Sequence, residues 1–193
     1  GIGSGWMPEE FAAASAADKF PRRHAHVRET IEICKGIWTN DLFEYHGEFA
    51  DFEPCGFGHK PVQSPHPPIY FSGLRDPKRS ANRVAKYGLA GWIGIRDTPR
   101  EFTEWRTAIA RELEALGKSI DELEMCSMIW FTITDTEVDQ SDNGKVSNIL
   151  VGTADQITDM LKRYKEAGLT MPLLWPPFAD VPVSKTLDDL KRL

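Results

Sequence analysis

The sequence predicts an α/β protein in which helices cover a parallel β-sheet. Two observations predict this fold class: segments with the helical spacing of apolar residues alternate with short apolar runs, and those runs are continuous rather than interrupted at every second position. Continuous apolar strands are typical of parallel sheets, whose strands are covered on both faces. The alternation fits either a doubly wound sheet or a sheet closed into a barrel.

The first third of the chain combines one helix with a long irregular segment. In the segment RRHAHVRETIEICKGIW, Val27, Ile31 and Trp38 fall on one helical face, which predicts an amphipathic helix. Residues 39–67 lose this periodicity and gain Gly, Pro, His and aromatic residues, so we predict a long excursion before the next strand. Excursions of this size are uncommon in compact domains and are often functional.

Strands and helices alternate regularly in the rest of the chain. The predicted strands cover residues 69–72, 89–95, 123–134 and 171–176, and a last short helix covers 186–193. The other helices are predicted from their termini, where capping residues, a first-turn proline and a terminal glycine are the strongest local signals. These signals are Asp76, Pro77 and Gly88 for the first helix, Thr98 and Glu101 for the second, and Thr153 and Gln156 for the third.

Composition and charge limit the classes of partner. A net charge of −6 over 193 residues, with both signs interspersed, argues against nucleic-acid binding, which concentrates Lys and Arg on one face. Three widely spaced cysteines build neither a disulfide framework nor a C-x-x-C motif. No apolar run reaches the roughly 20 residues that span a bilayer. We therefore expect a soluble, cytoplasmic protein that binds neither nucleic acid nor a membrane.

One polar segment has a partial calcium-binding pattern. The segment DQSDNG has the spacing of the first half of an EF-hand loop. The twelfth loop position is Leu150, where a calcium loop needs the bidentate carboxylate of Glu. We therefore expect a solvated loop and no metal site.

The chain opens with GIGSGWMPEEF, which has glycines at positions 1, 3 and 5. A dinucleotide fingerprint needs the spacing G-x-G-x-x-G between a strand and a helix, with an acidic residue about 20 positions later. Here the spacing is G-x-G-x-G and Pro8 interrupts the start of the helix, so that fingerprint is disfavoured. Two interpretations stay open: a flexible turn, or a strand end that leaves room for a flat ligand.

Six segments in succession resemble the luciferase-like monooxygenase family. They are GIGSGWMPEEF, ETIEICKGIWT, YHGEFADF, PHPPIYFSG, ANRVAKYGLAGW and TPREFTEW. The resemblance implies a (β/α)8 barrel of the TIM type, which needs about 250 residues when complete. It also implies that residues 1–193 form a single partial barrel domain, the second half from the end of strand 4 to strand 8, with residues 39–67 as the excursion before strand 5.

The resemblance implies that FMN or the deazaflavin F420 binds at the carboxyl ends of the strands. Gly3 and Ser4 follow the first strand end, where Ser4 would meet the polar edge of the flavin. Ser72, Gly73 and Arg75 precede a helix, whose amino-terminal amides and dipole suit a phosphate. The alternative for this second segment is a helix that its own Asp cap completes, with no ligand.

Two further strand ends are implicated in binding. Gly94, Ile95 and Arg96 lie at the top of the next strand, and by resemblance they line the phosphate side of the flavin. A glycine inside a strand often marks a close approach of another group to the backbone. Trp175, after the last strand, is predicted to form a wall of the substrate pocket; plain packing is the alternative interpretation for this side chain.

The function implied by the resemblance is a flavin-dependent oxidoreductase or monooxygenase that acts on a small organic substrate with oxygen. No catalytic residue is predicted, because the acid and base groups of the family lie mainly on early strands. Two alternatives stay open: a non-catalytic flavin-binding protein, and an inactive barrel fragment that associates with a partner half. Open strand edges invite association, so we expect a homo-oligomer or a complex with a missing amino-terminal half.

Overall fold

The computed structural model describes residues 1–72, 76–95, 97–140, 149–176 and 183–193. They fall into two compact units, Gly1–Ser72 and Gly73–Leu193. None of the helices in these described ranges is long and apolar enough to cross a membrane. The expectation of one partial barrel domain stays a prediction.

The first unit contains three helical segments and three strands. Helix α2 begins directly after a 3-10 turn and buries Val27 and Ile31, as the helical spacing predicts. In chain order the elements are α1 (Pro8–Ala13), the 3-10 turn (Ala17–Arg22), α2 (Arg23–Thr39), β1 (Leu42–His46), β2 (Asp51–Gly56) and β3 (Tyr70–Ser72).

The predicted irregular excursion contains a β-hairpin. Strands β1 and β2 pair antiparallel from Leu42 opposite Gly56 to His46 opposite Asp51. The excursion therefore has regular structure of its own, which the search for apolar periodicity missed. Strand β1 alternates exposed and half-buried residues over only five positions, and β2 breaks this alternation within its six, so the apolar signal is weak.

The hairpin is held to α2 by carboxylates of the helix. The two carboxylate oxygens of Glu29 accept the backbone N–H groups of Glu48 and Phe49, each at 2.9 Å. The hydroxyl of Tyr45 donates to Glu32 Oε2 at 2.7 Å. Hydrogen bonds to charged acceptors are stronger than neutral ones, so these contacts fix the turn of the hairpin against the helix.

The second unit is an α/β layer structure. Three amphipathic helices, α3 to α5, bury apolar residues while their other faces carry charge. Its elements are α3 (Pro77–Tyr87), β4 (Gly91–Ile95), α4 (Pro99–Glu114), a 3-10 turn (Ile120–Glu122), β5 (Glu124–Ile133), β6 (Ile149–Gly152), α5 (Ala154–Glu166), β7 (Met171–Trp175) and α6 (Val183–Leu190).

The long strand β5 organises a parallel sheet. Strand β4 pairs with it over residues 91–95, β7 over residues 171–175, and β6 pairs near its carboxyl end over residues 149–152. The α/β fold with a parallel sheet is therefore confirmed. Within the described ranges the strands of this unit form no closed barrel, so the predicted half barrel is not confirmed.

The predicted helix caps of the second unit are confirmed. The Asp76 side chain caps α3, and Gly88 ends that helix in the left-handed conformation with φ of 53°. Helices α4 and α5 both begin with complete capping boxes, in which a threonine and the residue three positions later exchange hydrogen bonds. The two boxes are Thr98 with Glu101 and Thr153 with Gln156. The starts of these helices are therefore set by capping residues that can be recognised in the sequence.

Two elements differ from the sequence-based expectation. Strand β6, Ile149–Gly152, was not predicted, because four residues are too few to establish a period. The last helix begins at Val183 rather than at Thr186 and ends at Leu190. Lys185 donates to both carboxylate oxygens of Asp189, at 2.8 and 3.0 Å, and this pair four residues apart supports the earlier start.

Replacing Gly36 with Ala is expected to destabilise the first unit. Gly36 lies inside α2, where a Cβ atom would overlap the ring of Phe43 from the hairpin. Alanine favours a helix over glycine by about 1 kcal/mol, but an overlap in a packed site costs about 1–3 kcal/mol. We therefore expect a net loss of free energy of unfolding, measured in urea.

The control for this variant is Gly58→Ala, where no atom lies within 4 Å of an added Cβ. It is expected to unfold as the wild-type protein does. A Gly36→Ala protein that is as stable as this control would contradict the packing of Phe43 on α2.

Candidate functional site

Two parallel strand ends of the first unit meet at one edge. The Ile2 N–H donates to Tyr70 O at 2.8 Å, and the Ser72 N–H donates to Ile2 O at 3.0 Å. Ile2 and Phe71 form a parallel bridge, so these two segments of the chain run in the same direction toward one edge. Gly3 and Ser4 follow Ile2 and therefore lie beside the end of β3. The structure brings Gly3, Ser4 and Ser72 together here; we call these three residues the strand-end site.

The strand-end site has a free polar atom and open space. The Ser72 Oγ is buried and has no hydrogen-bond partner among the described residues. A Cβ added to Gly3 would meet nothing within 4 Å. A buried hydroxyl without a partner costs free energy, so it is a candidate for binding a ligand that is absent from the free chain. These two observations fit the polar groups of a flavin cofactor.

The helix that follows β3 is capped and basic. The Arg79 N–H donates to Asp76 Oδ1 at 2.9 Å, so one amide of the α3 amino terminus already has an acceptor. Lys78 and Arg79 stand in the first turn of α3 and partly offset the negative charge of the cap. Gly73 and Arg75, predicted to bind the phosphate, lie outside the described residues.

The glycine in β4 is explained by packing within the second unit. A Cβ on Gly94 would lie 2.5 Å from Asp97 Oδ2 and 3.0 Å from the ring of Trp92. The group that approaches this glycine closely is therefore an internal carboxylate rather than a ligand. Contact between the cofactor and the Gly94 backbone stays a prediction. Arg96 lies outside the described residues.

Two other predicted residues, Ile95 and Trp175, share a face of the parallel sheet. Ile95 is in register with Met128, and Trp175 is in register with Trp130. Met128 and Trp130 are two positions apart on β5, so all four side chains lie on one face. Ile95 is 37% exposed and Trp175 is 45% exposed. The substrate-wall role of Trp175 stays a prediction.

Met128 and Trp130 belong to this face, yet sequence reasoning did not select them. Both stand in the continuous apolar run of β5, whose amino-acid sequence shows no alternation of apolar and polar residues from which a face could be read. Only the register with the neighbouring strands identifies their face. The opposite face carries Trp92, whose ring lies 6.1 Å from Phe102 and 6.4 Å from Trp105 of α4, so it is the helix-covered side.

A buried tyrosine ties the end of β4 to α5. The Tyr164 hydroxyl donates to Asp97 O at 2.8 Å, and both residues are buried. Burial of the phenol and the negative charges of Asp97 and Glu101 raise the pKa of Tyr164 well above its usual range. The hydroxyl therefore stays protonated and remains a donor. This contact fixes the main chain just after the strand end that carries Ile95.

The described residues hold little reactive chemistry of their own. Burial, and secondarily the charge of Glu124, raise the pKa of the Cys126 thiol to about 11, so it is a neutral thiol near pH 7. Within the described ranges, no group of three His, Cys, Asp or Glu side chains could hold a metal ion.

Parallel strands with a glycine and an unpartnered serine at their ends define an α/β protein whose candidate ligand site lies at the carboxyl edge of these strands. The sequence pattern of the luciferase-like monooxygenases matches residues 1–143. This chain belongs to the luciferase-like monooxygenase family. The family resemblance expected from the six sequence segments is thereby confirmed.

Some of the similar proteins are named as enzymes that depend on FMNH2 or on F420. The FMNH2-dependent dimethylsulfone monooxygenase of Pseudomonas putida is 29% identical over 121 residues, which is 62% of this chain and 29% of that protein. The monooxygenase RslO1 from Streptomyces bottropensis superposes with a TM-score of 0.76 at 17% identity, over 98% of this chain and 64% of that one. An F420-dependent secondary alcohol dehydrogenase, in complex with an F420-acetone adduct, gives a TM-score of 0.65 at 17% identity, over 81% and 57%.

The chain spans between 29% and 50% of the length of the first curated relatives that it matches. The structural matches show a shared fold. The activity and substrates of the relatives belong to those longer proteins.

Replacing Tyr164 with Phe is expected to lower the free energy of unfolding by about 1–3 kcal/mol, because the buried carbonyl of Asp97 loses its donor. Since the folded-state pKa of Tyr164 lies above its ordinary value of 10.0, the wild-type protein should lose stability as the pH rises beyond that value. The Phe variant should lose less stability over the same range. Urea unfolding at several pH values measures both effects.

The control for this variant is Met160→Leu, a buried change of similar volume on the same helix. It should leave the pH dependence at the wild-type value. Equal pH dependence in the Tyr164→Phe and wild-type proteins would rule out the proposed role of the hydroxyl.

Proposed function

We propose that this chain binds a reduced flavin, FMN or F420, and takes part in the oxidation of a small organic substrate. The observation that carries the proposal is the strand-end site, where the buried Ser72 hydroxyl lacks a partner beside the open space at Gly3. Membership of the luciferase-like monooxygenase family supports the same conclusion. The similar proteins named as enzymes favour an oxidoreductase over a non-catalytic flavin-binding protein.

Ser72, Gly73 and Arg75 would hold the cofactor phosphate. The Ser72 hydroxyl would donate to a phosphate oxygen, and an arginine would supply opposite charge. The basic first turn of α3 supports an anion near this segment. Gly3 and Ser4 would face the polar edge of the ring system, where a glycine permits close approach.

The family resemblance implies further residues that would contact the cofactor and the substrate. Gly94, Ile95 and Arg96 would line the phosphate side of the cofactor, as the family resemblance implies. Trp175 would form a wall of the substrate pocket, which its 45% exposure allows. The shared sheet face of Ile95 and Trp175 is apolar, so it would exclude water from an uncharged substrate.

Reduced FMN, when bound, would supply the two electrons with which one atom of oxygen is transferred to the substrate and the other is reduced to water, whereas F420 would supply or accept a hydride. The chain's own residues would bind and orient the two reactants and keep water out of the site. Ser72 would hold its proton on Oγ and donate it in a hydrogen bond. The choice between FMN and F420 is a question of binding selectivity. The remaining strands of the barrel would come from an amino-terminal half, as the family resemblance implies.

Replacing Ser72 with Ala separates binding from stability. The buried Oγ has no partner in the free chain, so its removal should leave the free energy of unfolding unchanged or slightly higher. The affinity for FMN should fall about tenfold, since a hydrogen bond to a charged group contributes about 1.5–3 kcal/mol. Isothermal titration with FMN, F420 and riboflavin measures the affinity. Because riboflavin lacks the phosphate, Ser72→Ala should lower the affinity for riboflavin less than the affinity for FMN.

A matched control is Ser127→Ala. Ser127 likewise has a buried Oγ without a partner among the described residues, but it lies in register with Gly94 on the helix-covered face of the sheet. This variant should bind FMN as the wild-type protein does. A wild-type chain that binds neither FMN nor F420 would refute the proposed function.

A further inference from the structure

An exposed tryptophan stands next to the strand-end site. Trp6 follows Ser4 by two positions and is 78% exposed, although tryptophan has the largest apolar surface of any side chain. Burial of such a ring is strongly favourable in water. A tryptophan that stays exposed on a fixed backbone is therefore a candidate for contact with another molecule.

The backbone that carries Trp6 is fixed on the side of Gly5. Gly5 has φ of 71°, in the left-handed region that favours glycine, and a Cβ there would lie 2.8 Å from the ring of Phe11. The Arg23 Nε donates to Gly5 O at 3.2 Å. The rings of Phe11 and Phe20 meet edge to face at 5.2 Å, and the Arg23 guanidinium lies 4.3 Å from the centre of the Phe20 ring.

This arrangement holds the turn before Trp6 by an aromatic pair and an arginine. A turn held in this way loses little conformational entropy when its side chain binds a ligand. Rigid aromatic side chains with few rotatable bonds serve as contact residues for the same reason. Helix α1 begins at Pro8, so the free segment between the fixed glycine and the helix is only Trp6 and Met7.

We propose that Trp6 stacks on the planar ring system of the flavin cofactor. This inference rests on the proposed function, because it takes the strand-end site as the place where the cofactor binds. Trp6 lies within two residues of Ser4, so a ring at the polar contacts of Gly3 and Ser4 is within reach of the indole. Stacking uses the apolar face of the ring, while Gly3 and Ser4 would contact its polar edge.

The proposal predicts different effects on affinity for residues that contact the flavin ring and for residues that contact the phosphate. Replacing Trp6 with Leu removes the aromatic face and keeps an apolar side chain. The affinities for FMN and for riboflavin should therefore both fall about tenfold, a size typical of stacking between an aromatic side chain and a heterocyclic base. Trp6→Phe keeps a ring and should stay within about threefold of the wild-type affinity. Ser72→Ala, by contrast, should weaken FMN more than riboflavin.

Flavin fluorescence supplies a readout that is independent of turnover. A tryptophan stacked on a flavin quenches its emission, so FMN bound to the wild-type chain should be dimmer than FMN bound at saturation to Trp6→Leu. The control is Leu42→Ala, an exposed apolar residue of the same unit at 68% exposure. It should change neither affinity nor emission. Far-ultraviolet circular dichroism checks that each variant is folded.

The outcomes distinguish the two proposals. A wild-type chain that binds neither FMN nor F420 overturns the proposed function and the stacking together. A wild-type chain that binds FMN, with Trp6→Leu equal to it in affinity and emission, overturns the stacking alone. If Trp6→Leu is not folded, the Trp6→Phe protein decides the matter. The stacking is contradicted if FMN bound to Trp6→Phe emits as weakly as FMN bound to the wild-type chain while the affinity for FMN falls more than tenfold.

Discussion

Parallel pairing on both edges of β5 is the constraint on which the second unit depends. Parallel neighbours cannot be joined by a tight turn, so the chain must cross over between strands, and helices are the usual crossover. Helix α4 therefore lies between β4 and β5 in sequence, and α5 precedes β7. The same constraint brings Ile95 and Trp175, which are far apart in the chain, to the ends of strands that flank one central strand.

The helices then determine which face of that sheet stays open. Trp92 packs against α4, and the Tyr164 hydroxyl of α5 reaches Asp97 after the end of β4. These contacts cover one face and fix one strand end, while Ile95 and Trp175 on the other face are partly exposed. An apolar face held open by a rigid scaffold is suited to binding because the side chains need not reorganise.

The parts of the fold that could be predicted are those with local signals. Helices α3, α4 and α5 carry their own caps, and residues such as Asp76 and Thr98 bond within three positions along the chain. The hairpin β1–β2 could not be predicted in this way, because its contacts come from Glu29 and Glu32 on a helix that precedes it. Non-local hydrogen bonds leave no periodic trace in the strands that they stabilise.

The candidate site shows the same division. A glycine at a strand end and a serine after an apolar run could be read from the sequence, so Gly3 and Ser72 were found. Whether the serine hydroxyl has a partner depends on packing, and only the structure shows that it has none among the described residues. Trp6 was in the quoted opening segment, but its exposure is a property of the folded turn.

Because Asp97 approaches Gly94 closely, the residue at one of these positions limits which residues are tolerated at the other. The carboxylate occupies the volume where any larger residue at 94 would place its first side-chain atom, and the ring of Trp92 closes the remaining side. A methyl group at 94 would require the Asp97 carboxylate and the Trp92 ring to move, or a shorter side chain at 97. Substitutions at positions 94 and 97 should therefore be correlated among homologous sequences, even where neither residue contacts a ligand.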